Sequence, residues 1–128
     1  MIIKQVTVIV ENKEGKLKEV MDIITRQGID VHALSMADTV TRLIVDDPES
    51  VKELLQDQGY QAELTDVISV TIPSKPGSLS QMLHKIAEAE INLEYMYAHA
   101  SGSGMIFLPS DVEKTDEILK DWEEVDRI

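Results

Sequence analysis

Cysteine is absent from the 128 residues, which excludes a disulfide framework, a thiolate zinc site and a cysteine nucleophile. Basic residues are scarce: 12 Lys and Arg face 24 Asp and Glu, for a net charge of −12. No Lys/Arg stripe with interleaved aromatics occurs, so phosphate-backbone binding lacks its electrostatic term and nucleic acid is not an expected partner. The acidity reads as a solvated surface that keeps a small protein in solution. Long apolar runs are missing too. Nothing approaches the ~18 residues of a membrane span, and the opening "MIIKQVTVIVENK" alternates toward a strand instead of showing the parts of a signal peptide. A cytoplasmic protein without membrane contact is expected.

What the chain does have is 43% apolar content, enough for a core, and a repeat. Val6, Val8 and Val10 alternate with Gln5, Thr7 and Ile9, the period of a half-buried strand. Leu17, Val20, Met21 and Ile24 recur at helical spacing, with Gly28 where a left-handed terminal residue is wanted. Segments 29–38 and 41–47 read as two strands. Asp47 and Pro48 then supply an N-cap and first-turn proline for a helix that buries Val51, Leu54 and Leu55 and ends at Gly59. "YQAEL" closes the unit as a fourth strand.

From Asp66 the same order returns. Ile68, Val70 and Ile72 replay the first strand, and Leu79, Met82, Leu83 and Ile86 replay the helix. "INLEYMYAHA" and "GMIFLPS" replay the middle strands. Ser110 with Glu113 fits a capping box before a helix whose inner face is Thr115, Ile118, Leu119 and Trp122. The final strand has only "EEVDRI" to form from. The offset between copies is 62 through the first half and 64 after the central hairpin, placing two extra residues near "SGSG". Glu90 stands where the first copy has Gly28, so that helix either ends differently or holds a left-handed non-glycine residue at a cost of about 1 kcal/mol.

The expected fold class is therefore α+β: two tandem ferredoxin-like βαββαβ units, residues 1–65 and 66–128, with antiparallel sheets and both helices on one face. A unit of this size buries only ~60% of its unfolded surface, so the copies are expected to pack together, and the junction at 64–67 leaves no linker.

Two loops carry the chemistry, "NKEGKL" (12–17) and "SKPGSL" (74–79), with Gly15 and Gly77 62 residues apart. Asn12 and Ser74 are N-cap candidates for the helices that follow. Unpaired backbone N–H groups and the positive end of the dipole make such a start a small anion site, well sized for a carboxylate. Lys13 and Lys16 in the first loop and Lys75 in the second locally oppose the overall charge, since acids beyond ~8 Å are largely screened. On spacing alone Asn12, Gly15, Ser74 and Gly77 read first as ordinary caps and turn residues.

The pattern of strand, Asn/Asp/Ser, x, Pro, Gly, x, Leu, helix, then Asn at the start of the next strand resembles the ACT domain, a ferredoxin-like ligand-binding module of amino-acid metabolism. "SKPGSLSQMLHKIAEAEINLEYMYAHA" carries the likeness best, and the whole chain resembles stand-alone bacterial tandem-ACT proteins. The resemblance implies a non-enzymatic regulatory protein, without cofactor or metal, that binds a free amino acid at the seam between repeats. It implies Ser74 with Asn92 in the second copy and Asn12 with Asp30 in the first, together with loop residues Gly15, Lys16, Leu17, Pro76, Gly77, Ser78 and Leu79. Glu14 departs from the usual Pro and Ser74 is shorter than the usual Asp or Asn, so the second loop fits the pattern better. A metabolic enzyme partner and a homodimer are further expectations. The alternative is a ligand-free interaction subunit that docks through a sheet edge.

Other candidates weigh less. His32, His84 and His99 show no ligand spacing, so metal is not expected. Asp46 and Asp47 read as a helix cap, and the serines have no adjacent base in sequence. Tyr95, Tyr97, Met96 and Met105 read as core or inter-sheet contacts.

Overall fold

The alternation of apolar residues at period two and then at period 3.6 sets the element order. A computed structural model describes residues 1–126, with side chains through residue 120. Its elements are β1 (Ile2–Ile9), α1 (Lys16–Thr25), β2 (Val31–Ala37), β3 (Val40–Val45), α2 (Pro48–Asp57), β4 (Ala62–Thr71), α3 (Ser78–Glu88), β5 (Leu93–Ala98), β6 (Gly104–Pro109) and α4 (Val112–Asp126). They form two compact units, Lys4–Thr65, and Met1–Ile3 with Asp66–Ile128.

In the Lys4–Thr65 unit the hydrogen-bonded strand order is β2-β3-β1-β4. Val6 lies opposite Leu43, and β2 pairs antiparallel with β3 across the hairpin. On the far side the Ile9 N–H donates to the Gln61 carbonyl at 3.0 Å. Val6, Val8 and Val10 bury against Val20 and Ile24 of α1 and Val51 and Leu55 of α2, forming the core of this unit. Asp47 caps α2, its Oδ1 accepting from the Ser50 N–H at 3.3 Å, with Pro48 in the first turn.

The other unit has the order β1-β4-β6-β5 and repeats the registers. Ile68 lies opposite Phe107 as Val6 lies opposite Leu43, which are offsets of 62 and 64. The β-bulge between Val31 and Ala33 recurs between Leu93 and Tyr95. Its core contains Ile68, Val70, Met82, Ile86, Phe107 and Leu119. Phe107 and Met82 are larger than their counterparts Leu43 and Val20, so the second copy keeps the geometry with bulkier filling.

Four local expectations change. "YQAEL" and the strand after it are one element, because β4 runs unbroken from Ala62 to Thr71. The segment "EEVDRI" does not supply a closing strand where it is described: residues 123–126 continue α4, while residues 127–128 lie outside the described residues, as does the side chain of Trp122. The place beside β4 is taken by the chain start, with the Ser69 N–H donating to the Met1 carbonyl at 2.9 Å. The cap of α4 is Asp111, whose Oδ1 accepts from the Lys114 N–H at 3.0 Å, while the Ser110 hydroxyl accepts from the Asn92 N–H at 3.0 Å. Finally, Gln5 is not on a solvated face. It is fully buried, and its amide donates to Thr7 Oγ1 at 3.0 Å, which offsets part of the cost of burying it.

Glu90 adopts the left-handed conformation with φ 59°, in the place of Gly28 with φ 72°. Glu90→Gly is therefore expected to stabilise the protein by about 0.5–1 kcal/mol, read as a higher denaturation midpoint with unchanged slope. A neutral or negative change would show that the Glu90 side chain compensates the strain.

Candidate functional site

Both strand-to-helix loops fold through the same hydrogen bonds. The Lys75 N–H donates to the Pro73 carbonyl at 2.9 Å and the Ser78 N–H to the Lys75 carbonyl at 3.3 Å; at the first loop Lys13 donates to Glu11 at 2.9 Å and Lys16 to Lys13 at 3.2 Å. Ser74 and Asn12 are thus the central residues of three-residue turns. They are not the helix caps. The capping position belongs to Gly77 and Gly15, whose φ values of 88° and 78° strain any residue with a side chain, and neither cap makes a side-chain hydrogen bond. The helices start later than a cap at Ser74 or Asn12 would place them, because the left-handed glycine turns the chain first.

This geometry leaves donors open. Among the described residues, the backbone N–H groups of Gly77, Leu79 and Ser80 have no hydrogen-bond acceptor, as expected for the first turn of a helix without a side-chain cap. Ser78 is 2% exposed and its hydroxyl has no partner either.

An open cleft of about 650 Å³ lies over this loop. Ser74, Lys75, Gly77 and Ser80 supply its polar side, and Ile72, Pro73, Pro76, Leu79 and Leu83 its apolar side. Residues 67–87 contain no Asp or Glu, in a chain with 24 of them. Lys75 accordingly has no ion pair among the described residues. The cleft brings together Ser74, Pro76, Gly77 and Leu79 of the residues expected from sequence, whereas Ser78 is buried behind them.

The corresponding loop of the other unit is built differently. Its smaller cleft of about 380 Å³ is lined by Glu11, Lys16, Glu19 and Tyr60, with Ile9 and Ile23. Lys13 Nζ sits 3.0 Å from Glu11 Oε2 and Lys16 Nζ 3.5 Å from Glu19 Oε2, an oxygen that also accepts from the Tyr60 hydroxyl at 2.9 Å. The hydrogen bond from Lys13 holds the Glu11 carboxyl below its ordinary range, and desolvation, then Glu19, pushes the Tyr60 phenol up. The lysines of this loop already face carboxylates. Gly15 lines a separate cleft of about 270 Å³ with Lys18 and Asp22, and Asn12 and Leu17 line neither.

Asp30 and Asn92 immediately precede β2 and β5 and are not among the residues lining the loop clefts. Asn92 is tied through its backbone, its N–H to the Ser110 hydroxyl and its carbonyl to the Ser110 N–H at 2.8 Å. Asp30 belongs to a cluster that sequence reasoning missed. His32 Nε2 lies 2.5 Å from Asp46 Oδ1, Asp30 Oδ2 is 3.7 Å from His32 Nδ1, and the Asp30 N–H donates to Asp46 Oδ2 at 3.3 Å. The pairing of Val31 with Val45 carries their neighbours His32 and Asp46 to the same end of the hairpin, a signal readable only once the register is known. His84 pairs instead with Glu88 at 3.0 Å, and no group of three or more such side chains is placed to hold a metal ion among the described residues.

The hydrogen bond with Asp46 raises the His32 pKa above its ordinary value and lowers that of Asp46, against a smaller opposing effect of desolvation on each. Because the folded His32 pKa is raised, its contribution to stability is full below the unfolded value of about 6.5 and is lost as pH rises through the folded value. The Asp46 contribution is lost in the opposite direction, as pH falls through its lowered value. Titration of the His32 ring by NMR is expected to show an upward shift that Asp46→Asn removes; an unshifted ring in the parent protein would refute the pairing.

Comparison with known proteins fits this architecture. The family described as the ACT domain pair matches residues 1–125. A crystallised protein of Bacteroides thetaiotaomicron is 31% identical, with a TM-score of 0.88 over 95% of this chain and 89% of that one. The regulatory subunit of aspartate kinase from Thermus thermophilus, in its ligand-free form, shares 18% identity with a TM-score of 0.67, covering 94% and 90%. Aspartokinase III of E. coli, in complex with lysine and aspartate, shares 17% identity with a TM-score of 0.61 over 96% of this chain and 31% of that one. No functionally curated protein matches the sequence. The duplicated loop, the repeated registers and the match over residues 1–125 together make this chain a member of the ACT domain pair family.

Proposed function

We propose that the chain is a non-enzymatic regulatory protein that holds a free amino acid by its carboxylate at the loop between β4 and α3. The observation that carries this reading is the conjunction of Lys75 with the open N–H groups of Gly77, Leu79 and Ser80, all on one cleft within a stretch free of acidic residues. Each donor favours an anion, and the dipole of α3 adds to them. The family membership and the fold shared with a regulatory subunit of aspartate kinase support a role in passing ligand occupancy to an enzyme. No helix among the described residues is long and apolar enough to cross a membrane.

The energies required are modest. Sensing at 0.1–1 mM takes on the order of 4–5.5 kcal/mol, and two or three charge-assisted hydrogen bonds of about 1.5–3 kcal/mol each cover it after ordering costs. In the Lys4–Thr65 unit an incoming carboxylate must first displace Glu11 and Glu19 from the lysines, so that loop is the weaker site.

A second reading, a subunit that docks through its edge, is favoured by β2. This strand ends the order of its unit, carries Leu34 and Met36 at 39% and 48% exposure, and has no carboxylate in its seven residues. An edge strand with exposed apolar side chains and no carboxylate accepts another strand along its length beyond the bulge at Val31–Ala33.

Calorimetric titration with each of the twenty amino acids is expected to find at least one that binds with a dissociation constant in the range of about 0.1–1 mM. Lys75→Gln should weaken it by about tenfold, whereas Lys13→Gln, which removes an ammonium already paired with Glu11, should change it by less than about twofold. If no amino acid binds at millimolar concentration, the sensor reading fails and the edge-docking reading takes its place.

A further inference from the structure

The same cleft also constrains the ligand's side chain, and the constraint rests on the amino-acid reading above. We infer that the ligand is an amino acid with an uncharged, apolar side chain. The wall beside the anion-binding loop is formed by Ile72, Pro73, Pro76, Leu79 and Leu83. Leu79 is 39% exposed, and among the described residues from 66 onward no other large apolar side chain is that open. A large apolar side chain left in water beside polar donors is what a ligand's apolar part would cover.

Charged side chains find no further counter-charge there once the α-carboxylate is bound. A lysine or arginine ligand would bring a cation to a cleft with no carboxylate in its lining and none anywhere in residues 67–87. Aspartate or glutamate would bring a second carboxylate, yet Lys75 is the only cation lining the cleft and is engaged by the first. Each case either places a charge against apolar wall without a counter-charge or turns the side chain out into water, and both forgo the apolar burial that an uncharged side chain gains there. The α-ammonium common to all amino acids stays near the open mouth, where the Ser74 and Ser80 hydroxyls and water accept from it. Discrimination therefore falls on the side chain.

The test compares leucine, isoleucine, valine, methionine and phenylalanine with lysine, arginine, aspartate and glutamate by calorimetry on the full chain. The tightest of the apolar set should bind at least about tenfold better than any of the charged set, the selectivity a hydrophobic pocket ordinarily supplies. Leu79→Ser should weaken the apolar ligand by about tenfold, and Leu79→Met should restore it to within about twofold, because the thioether refills the wall. Leu79 is partly exposed and outside the core, so both variants are expected to fold, which circular dichroism verifies. A charged amino acid that binds as tightly as the apolar set overturns this inference while leaving the amino-acid site standing. So does an apolar preference that Leu79→Ser leaves intact. Absence of binding by every amino acid removes the underlying reading itself and is distinguished by that pattern.

Discussion

The backbone at Gly77 is held at φ 88°, a conformation that a side chain adopts only under strain, and the candidate site depends on it. The strand that feeds the loop is extended and the helix that leaves it is right-handed. A left-handed residue between them reverses the chain within a few residues and presents the first N–H groups of α3 without a side chain in front of them. A conventional Ser or Asp cap would have satisfied one of those donors internally. Gly15 has the same conformation, so the device predates the divergence of the two copies.

Charge then separates the copies. The hydrogen bonds of the two loops match one for one, but the side chains around them do not. Glu11, Lys16 and Glu19 of the first copy correspond to Pro73, Ser78 and Gln81 of the second, so the second has neither carboxylate and has Lys75 as the counterpart of Lys13. One loop is internally neutralised and the other is left with an unmatched cation. With backbone geometry held constant, a few substitutions suffice to concentrate anion affinity in one copy, because the lysines of the first copy are held by their own neighbours.

Packing tolerates this drift because each core is filled from the same positions. Val6, Val20 and Leu43 on one side answer to Ile68, Met82 and Phe107 on the other, and the registers and the bulge survive the change in volume. The two extra residues of the second copy fall in the hairpin after β5, where Gly102 is left-handed and no core side chain is displaced. Insertion at a loop tip costs little, whereas insertion in a strand would move every following side chain to the opposite face.

Local pattern was sufficient for much of this protein. The alternation at Val6, Val8 and Val10, the helical spacing from Leu17 to Ile24, the Asp47–Pro48 helix start and the 62-then-64 offset were all legible in the sequence, because each rests on neighbours or on a period that local geometry imposes. The glycine-bearing loops were legible for the same reason, whereas at Glu90 the sequence left two outcomes open, a different helix end or a left-handed residue, and the structure has the second. Tertiary structure decided what depends on residues far apart in the chain. Met1 takes the strand position beside Ser69, so the closing segment 123–126 remains helical; β4 runs through the junction of the repeats; Gln5 is buried on a face that its alternation left open to solvent; and His32 meets Asp46 across a hairpin. These are choices among competing partners for the same backbone edge or side chain, and sequence periodicity identifies which residues seek a partner without saying which partner they find.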